Sequence, residues 1–272
     1  MSSDQVHLGH RARKRFGQNF LHDAGVIDRI VRAVAPREGD HLVEIGPGQG
    51  AITSGLLASG AKLDVVELDH DLHPILMGQF GFNDRFQLHK GDALKFDFSA
   101  LATDGRKLRV VGNLPYNIST PLMFHLLAQS HCIHDMHFML QKEVVQRLAA
   151  TAGMNHYGRL GIMVQYHCQV EHLFDVGSGA FKPAPKVDSA IVRLTPHTTL
   201  PHPADDVKIL ENIVREAFNQ RRKTLRNTLK PLLTAEQIEA EGLDPSIRPE
   251  QVDLAGFVRL ANHLARQEPA DS

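Results

Sequence analysis

Tryptophan is absent from this chain of 272 residues, tyrosine occurs three times and cysteine twice. The two thiols, Cys132 and Cys168, sit in apolar surroundings and offer no disulfide framework, so a reducing compartment, the cytoplasm, is expected. No apolar stretch approaches the length of a membrane span. The first residues are polar and basic and lack the apolar centre of a secretory signal, so a soluble protein is expected. Charge of one sign is also lacking: 30 Lys and Arg stand against 31 Asp and Glu, a net charge of −1, which excludes a uniformly basic nucleic-acid coat. The balance is local rather than even. Between Gln5 and His22 there is no acid, while Arg11, Arg13, Lys14 and Arg15 accumulate. Between Arg215 and Lys230 the basic residues, among them Arg221, Arg222 and Lys223, face only Glu216. Such clusters either neutralise backbone phosphates or are ordinary solvated surface.

Hydrophobic residues make up 42% of the chain, enough for one large α/β domain and a small appended one. The run His41-Leu42-Val43-Glu44-Ile45 reads as a strand. It is followed by the turn Gly46-Pro47-Gly48-Gln49-Gly50 and then Ile52, Leu56 and Leu57 at helical spacing. Strands are expected next at residues 62–66 and 86–89, with a helix at 72–79 between them. Residues 108–112 form a further strand, 120–129 a helix with Pro121 in its first turn, 136–140 another strand and 142–150 another helix. Alternation of this kind makes a mostly parallel sheet. Residues 160–170 and 189–194 are read as its last two strands, an antiparallel pair at one edge. Pro196, Pro201 and Pro203 mark a linker, which gives domains at 1–200 and 201–272. In the second, Leu210, Ile213, Val214, Ala217 and Phe218 follow the spacing of an amphipathic helix, with more helices at 223–233, 235–241 and 254–266.

Two constellations carry chemistry. Asn113-Leu114-Pro115-Tyr116 closes the strand ending at Gly112, so an amide, a backbone carbonyl held by proline and an aromatic face project together. That is a receptor for a planar exocyclic amine: the Asn113 side-chain oxygen and the Leu114 carbonyl each accept one N–H while Tyr116 stacks on the ring. The plainer alternative is that Pro115 simply ends a strand. The second constellation is the glycine turn with Glu67, 21 residues after Gly46, which is placed to accept from ribose hydroxyls. Dinucleotide-dependent oxidoreductases carry a similar pair. The turn here is Gly-Pro-Gly rather than the longer glycine cradle of a pyrophosphate site, and Asp92 at the end of the next strand could accept from an adenine amine, both of which suit S-adenosylmethionine. Phe181 sits in a loop with two prolines, Pro183 and Pro185, that stiffen it, as a stacking platform or a core residue. His131, Cys132, His134 and His137 suggest zinc, but they enter an apolar strand whose side chains alternate, and no second ligand cluster follows, so no metal is expected.

Glu44 to Gly48, Gly112 to Ser119, Phe181 to Ser189 and Arg13 to Leu21 together resemble the ribosomal RNA adenine N6-dimethyltransferases, nearly end to end. With Phe218 to Thr224 included, the chain is most similar to the bacterial small-subunit members. The resemblance implies a Rossmann-like class I methyltransferase fold with a mostly parallel seven-stranded sheet and a small all-helical C-terminal domain that binds rRNA. It implies S-adenosylmethionine as cofactor, contacted by Asn19, Leu21, Gly46, Glu67, Asp92 and Asn113. It also implies a substrate of two adjacent adenosines in a hairpin loop near the 3′ end of 16S rRNA, each dimethylated during assembly of the small ribosomal subunit, with the target base between Tyr116 and Phe181. A monomer is expected. An oxidoreductase, a noncatalytic assembly factor, a DNA adenine methyltransferase and a large-subunit rRNA methyltransferase are the alternatives.

Overall fold

A computed structural model describes residues 18–220 and 222–267, with the backbone alone of residues 6–7 and 10–11. The chain divides into two compact units, the first Met1–Val145 with Glu171–Pro196, the second Gln146–Val170 with His197–Ser272. Where the sequence suggests one boundary near residue 200, the structure thus also groups a mid-chain segment with the C-terminal residues.

The first unit is built on a seven-stranded sheet whose strands, in chain order, are β1 (His41–Ile45), β2 (Lys62–Glu67), β3 (Phe86–Lys90), β4 (Leu108–Asn113), β5 (Ile133–Gln141), β6 (Cys168–Val176) and β7 (Ser189–Pro196). Their spatial order is β3-β2-β1-β4-β5-β7-β6. The pairs from β3 to β5 are parallel, and β7 runs antiparallel to β5 with Ile191 opposite Met139. Parallel strands covered on both faces need apolar side chains on both, and β1 is buried at every position. Helices α1 (Ala24–Val34), α2 (Thr53–Ala58), α3 (His73–Phe80) and α4 (Ser119–Leu127) lie along the first unit's sequence, and α5 (Lys142–Ala149) runs across the division of the chain. Asp23 opens α1 by accepting from the Val26 amide at 3.0 Å, the cap that satisfies an orphan donor. Ile27, Ile30, Val31 and Val34 then pack their stripe on the core.

Polar groups brace the sheet. Arg109 on β4 donates to Asp135 at 3.0 and 2.9 Å, to Asp40 at 2.8 Å, and to the Val34 carbonyl at the end of α1 at 2.7 Å, so one guanidinium ties a helix terminus to two strands. Across β1, β2 and β3, His41 and His89 each meet the Asp64 carboxylate at 2.6 Å. Burial would raise the pKa of Asp64, but the hydrogen bonds from His41 and His89 outweigh it and hold the carboxyl well below its usual range.

The second unit contains α6 (Arg159–His167), α7 (Val207–Ala217), α8 (Leu225–Thr228), α9 (Ala235–Ala240) and α10 (Leu254–Ala265). On α7 the buried residues are Leu210, Ile213, Val214 and Ala217, four of the five expected. Two expectations are corrected. Residues 160–170 are a helix that turns into a strand only at Cys168: a continuous apolar run such as Ile162-Met163-Val164 has no period to separate strand from buried helix. The helix expected over 223–233 is confined to Leu225–Thr228, because Pro231 cannot continue it and restricts the residue before it.

Candidate active site

At the carboxyl ends of β1, β2 and β4 the first unit holds a cavity of about 330 Å³, within the range of small-ligand sites. Its floor is the turn after β1. Gly46 and Gly48 have φ of +64° and +58°, which residues with a Cβ rarely adopt, and a Cβ on Gly48 would lie 3.3 Å from the Phe20 ring. Backbone is thereby left open to whatever the cavity holds. All six residues expected to contact a cofactor, Asn19, Leu21, Gly46, Glu67, Asp92 and Asn113, line this one cavity, as do Leu114, Pro115 and Tyr116.

Two carboxylates dominate its electrostatics. Glu67, at the end of β2, accepts from the Asp69 amide at 2.8 Å, and burial pushes its pKa up to about 7 against the amides of Asp69 and Gly48 that favour its charge. Glu44, on β1, accepts from the Thr53 hydroxyl at 2.6 Å; burial, helped by the nearby charge of Glu67, pushes it up to about 7 as well. Two buried acids this reluctant to ionise together suit a ligand that brings positive charge. Glu44 was not among the residues assigned a role from the sequence. Its position one residue before the strand end, against the glycine turn, was the signal. Asp92 accepts from the Leu94 amide at 2.9 Å, and Gln18 donates to Asp69 at 2.8 Å.

The other wall is Asn113 to Tyr116. The Asn113 amide nitrogen donates to the Asn19 carbonyl at 3.3 Å, which orients the side chain and leaves its oxygen as the free end. The carbonyls of Pro115 and Tyr116 are taken by the Ile118 amide and the Ser119 hydroxyl, at 3.1 and 3.2 Å. Among the described residues no donor meets the Leu114 carbonyl or the Asn113 side-chain oxygen. Two acceptors therefore stand unsatisfied at the cavity wall beside Tyr116, whose hydroxyl is held 2.8 Å from the Ser189 hydroxyl on β7.

Phe181 is placed differently. It pairs with Leu21 in a two-stranded ladder, is 2% exposed, packs in the core and is not part of the cavity wall. Of the basic residues, Arg222 and Lys223 are exposed. Arg13, Lys14, Arg15 and Arg221 lie outside the described residues, and of Arg11 only the backbone is described, paired with Val6. His131, just before β5, and His134 on it are exposed, while His137 is buried on a strand that is buried from Asp135 to Leu140. Among the described residues no group of three or more His, Cys, Asp or Glu is arranged to hold a metal, and no helix is long and apolar enough to cross a membrane.

A parallel sheet in this order, with an antiparallel β7 inserted beside β5 and a cavity over the glycine turn, is the Rossmann-like fold of a class I methyltransferase. The solved dimethyladenosine transferase from Plasmodium falciparum superposes with a TM-score of 0.76 at 26% identity, over 89% of this chain and 95% of that one. The 23S rRNA methyltransferase ErmE shares the fold, with a TM-score of 0.72 over 91% of this chain and all of that one. The chain belongs to the ribosomal RNA adenine dimethylase family, whose profile matches residues 9–266. Its relatives include the ribosomal RNA small subunit methyltransferase A of Pseudomonas aeruginosa, 73% identical over 94% of this chain and 96% of that protein. That of Marinobacter nauticus is 63% identical over 94% and 93%. The protein is thus an adenine-methylating enzyme with S-adenosylmethionine as cofactor. The cavity fits that molecule: buried acids for a cation, an acid at the end of each of β2 and β3 for an adenosine, and apolar flanks from Ile45, Leu68 and Ala93.

Proposed function

We propose that this enzyme dimethylates N6 of two adjacent adenosines in the hairpin loop near the 3′ end of 16S rRNA, acting as a monomer in the cytoplasm on the small ribosomal subunit during its assembly. The observation that carries the reading is the pair of unsatisfied acceptors, the Asn113 oxygen and the Leu114 carbonyl, on the wall of the same cavity as Glu67 and Asp92. The names of the curated relatives support the choice of subunit.

S-adenosylmethionine supplies an electrophilic methyl group. Glu67 holds the ribose hydroxyls, Asp92 the adenine amine, Gly46 the methionine end, and Asn19 and Leu21 close the side formed by the segment before α1. The target base leaves its stack and meets Tyr116. Its N6 lone pair is drawn into the ring, so accepting the two N–H groups at Asn113 and Leu114 returns electron density to the nitrogen and aims it. No general base is needed, because methylation makes the amine cationic and acidic, and its proton leaves to water. Arg222 and Lys223, with Arg221 and the N-terminal group Arg11, Arg13, Lys14 and Arg15, neutralise rRNA phosphates.

The test is to incubate the protein with labelled S-adenosylmethionine and small subunits lacking the modification, then to map the label by mass spectrometry of digested rRNA. The expected outcome is dimethyladenosine at two neighbouring positions near the 3′ end. Label on large-subunit rRNA or on DNA instead would defeat the assignment.

A further inference from the structure

Asp92 begins a folded stretch whose outer anchors lie on and just beyond α4. Its Oδ1 accepts the Leu94 amide at 2.9 Å, and the carbonyls of Asp92 and Ala93 accept the amides of Lys95 and Phe96 at 3.0 and 3.4 Å. Up to Phe96 the turn holds itself. Beyond it the partners come from 29 to 33 positions further along the chain. The Phe96 carbonyl accepts from His125 Nε2 at 2.8 Å and from Gln129 Nε2 at 3.4 Å, while Gln129 Oε1 accepts the amides of Phe98 and Ser99 at 2.8 and 3.1 Å. One side-chain amide thus serves both sides of a bend. The Phe98 ring is wholly buried, 5.0 Å from that of Phe96 and 6.0 Å from that of His125. Ser99 has a second acceptor in Asp97, whereas the Phe98 amide has none besides Gln129 among the described residues.

His125 is on α4, and Gln129 continues its last turn by donating its amide to the Leu126 carbonyl at 2.9 Å. At the opposite end of α4, Ile118 and Ser119 hold the carbonyls of Pro115 and Tyr116. Leu122, Met123, Leu126 and Leu127 are buried, so the helix is a fixed strut between the wall that carries Asn113 to Tyr116 and the loop that carries Asp92. Resting on the reading above that Asp92 accepts from the adenine amine of the cofactor, we infer that His125 and Gln129 set the place of Asp92 and with it the selectivity of the cavity for adenine. They are positioning residues. Neither lines the cavity, and both act through the backbone of residues 96–99.

The test is calorimetry on the full-length protein with two probes, S-adenosylhomocysteine and its 6-deamino counterpart, in which hydrogen replaces the amine. One charged hydrogen bond should give the parent a preference for the amine of about 10- to 150-fold. Gln129→Leu should shrink that ratio about tenfold by weakening the amine compound alone, and KM for S-adenosylmethionine should rise with kcat held. His125→Phe keeps a ring against Phe98 and removes a donor to the Phe96 carbonyl; it should move the ratio the same way, and it decides the matter if the leucine variant does not fold. Gln129→Glu, whose carboxylate can still accept both amides, should restore the parental ratio. With Asp92→Ala already in place, Gln129→Leu should change the ratio no further. A parental ratio in the folded variants, with the two compounds weakened equally or not at all, would make these contacts plain packing and overturn the inference, and loss of the preference in Asp92→Ala alone would then leave the reading of Asp92 standing. A parental ratio in Asp92→Ala overturns that reading, and this inference with it.

Discussion

Replacing Glu44 by glutamine asks whether the cavity of the free enzyme really contains a carboxyl that resists ionisation. The ordinary value of 4.5 is raised to about 7 at this site. In the unfolded chain the group gives up its proton from about pH 4.5 upward, whereas the folded protein keeps it until about pH 7. Between those values the unfolded state binds fewer protons, so stability falls as pH rises. At pH 8 the folded protein carries a cost of about 3 kcal/mol from this group, and at pH 5 less than about 1 kcal/mol. Glutamine has nearly the same shape, its carbonyl can still accept the Thr53 hydroxyl that now lies 2.6 Å from Glu44, and it cannot ionise. The variant should therefore gain about 2.5 kcal/mol more at pH 8 than at pH 5, which for a chain of this size displaces the melting midpoint by about 5–10 °C. Thermal melts of ligand-free parent and variant at both pH values give the answer. Glu67, raised in the same way, stays in place, so the variant should retain part of the parent's slope. A displacement equal at pH 5 and pH 8 would refute the reasoning, since it would mean that Glu44 is ionised across the range and its neighbourhood is not what resists the charge.

Cofactor binding should answer to the same pair: affinity for the cationic S-adenosylmethionine should strengthen as pH passes through about 7, with proton release seen by calorimetry in two buffers, and a flat profile would contradict it. Asn113→Ala removes one of two acceptors and should lower the methylation rate by about 10²–10³-fold; parental turnover would remove Asn113 from the amine site. Tyr116→Ala should cost about 1–3 kcal/mol of base stacking and raise the proportion of monomethyladenosine, measured by mass spectrometry. Phe181→Leu keeps an apolar side chain in the core, so near-parental activity marks a packing role, while a loss like that of Tyr116→Ala, with the melting point held, would mean that the ring comes out to stack on the base. Changing Arg222 and Lys223 with Arg221 to alanine should flatten the salt slope of rRNA binding by about 2–3, and an unaltered slope would leave them as solvated surface.

Strands β1 to β4 were legible because each is a short run closed by a glycine or an acid, and the residues at their carboxyl ends are the ones a doubly wound fold brings together. Asn19 and Leu21 were reachable only through resemblance, since nothing in their own neighbourhood says that a segment before the first helix comes back to the cavity. Helix α1 was not expected from the sequence, although Asp23 is a ready cap and Ile27, Ile30, Val31 and Val34 have the right period. Residues 160–170 misled because an unbroken apolar run is equally good inside a helix. Phe181 shows a different limit: the two prolines that follow it, Pro183 and Pro185, speak of stiffness, and which way its ring faces is decided by its ladder with Leu21, from the far end of the unit's sequence.

That hydrogen bond between Tyr116 and Ser189 joins positions 73 residues apart in the chain. During synthesis, at about 5–20 residues per second, the cavity's glycine turn, its acids and the aromatic ring all leave the ribosome seconds before the hydroxyl that fixes the ring's far end. A half-made chain thus carries the lining of the pocket without the anchor of its platform, and the last strand of the sheet is also the last part of the catalytic wall to arrive.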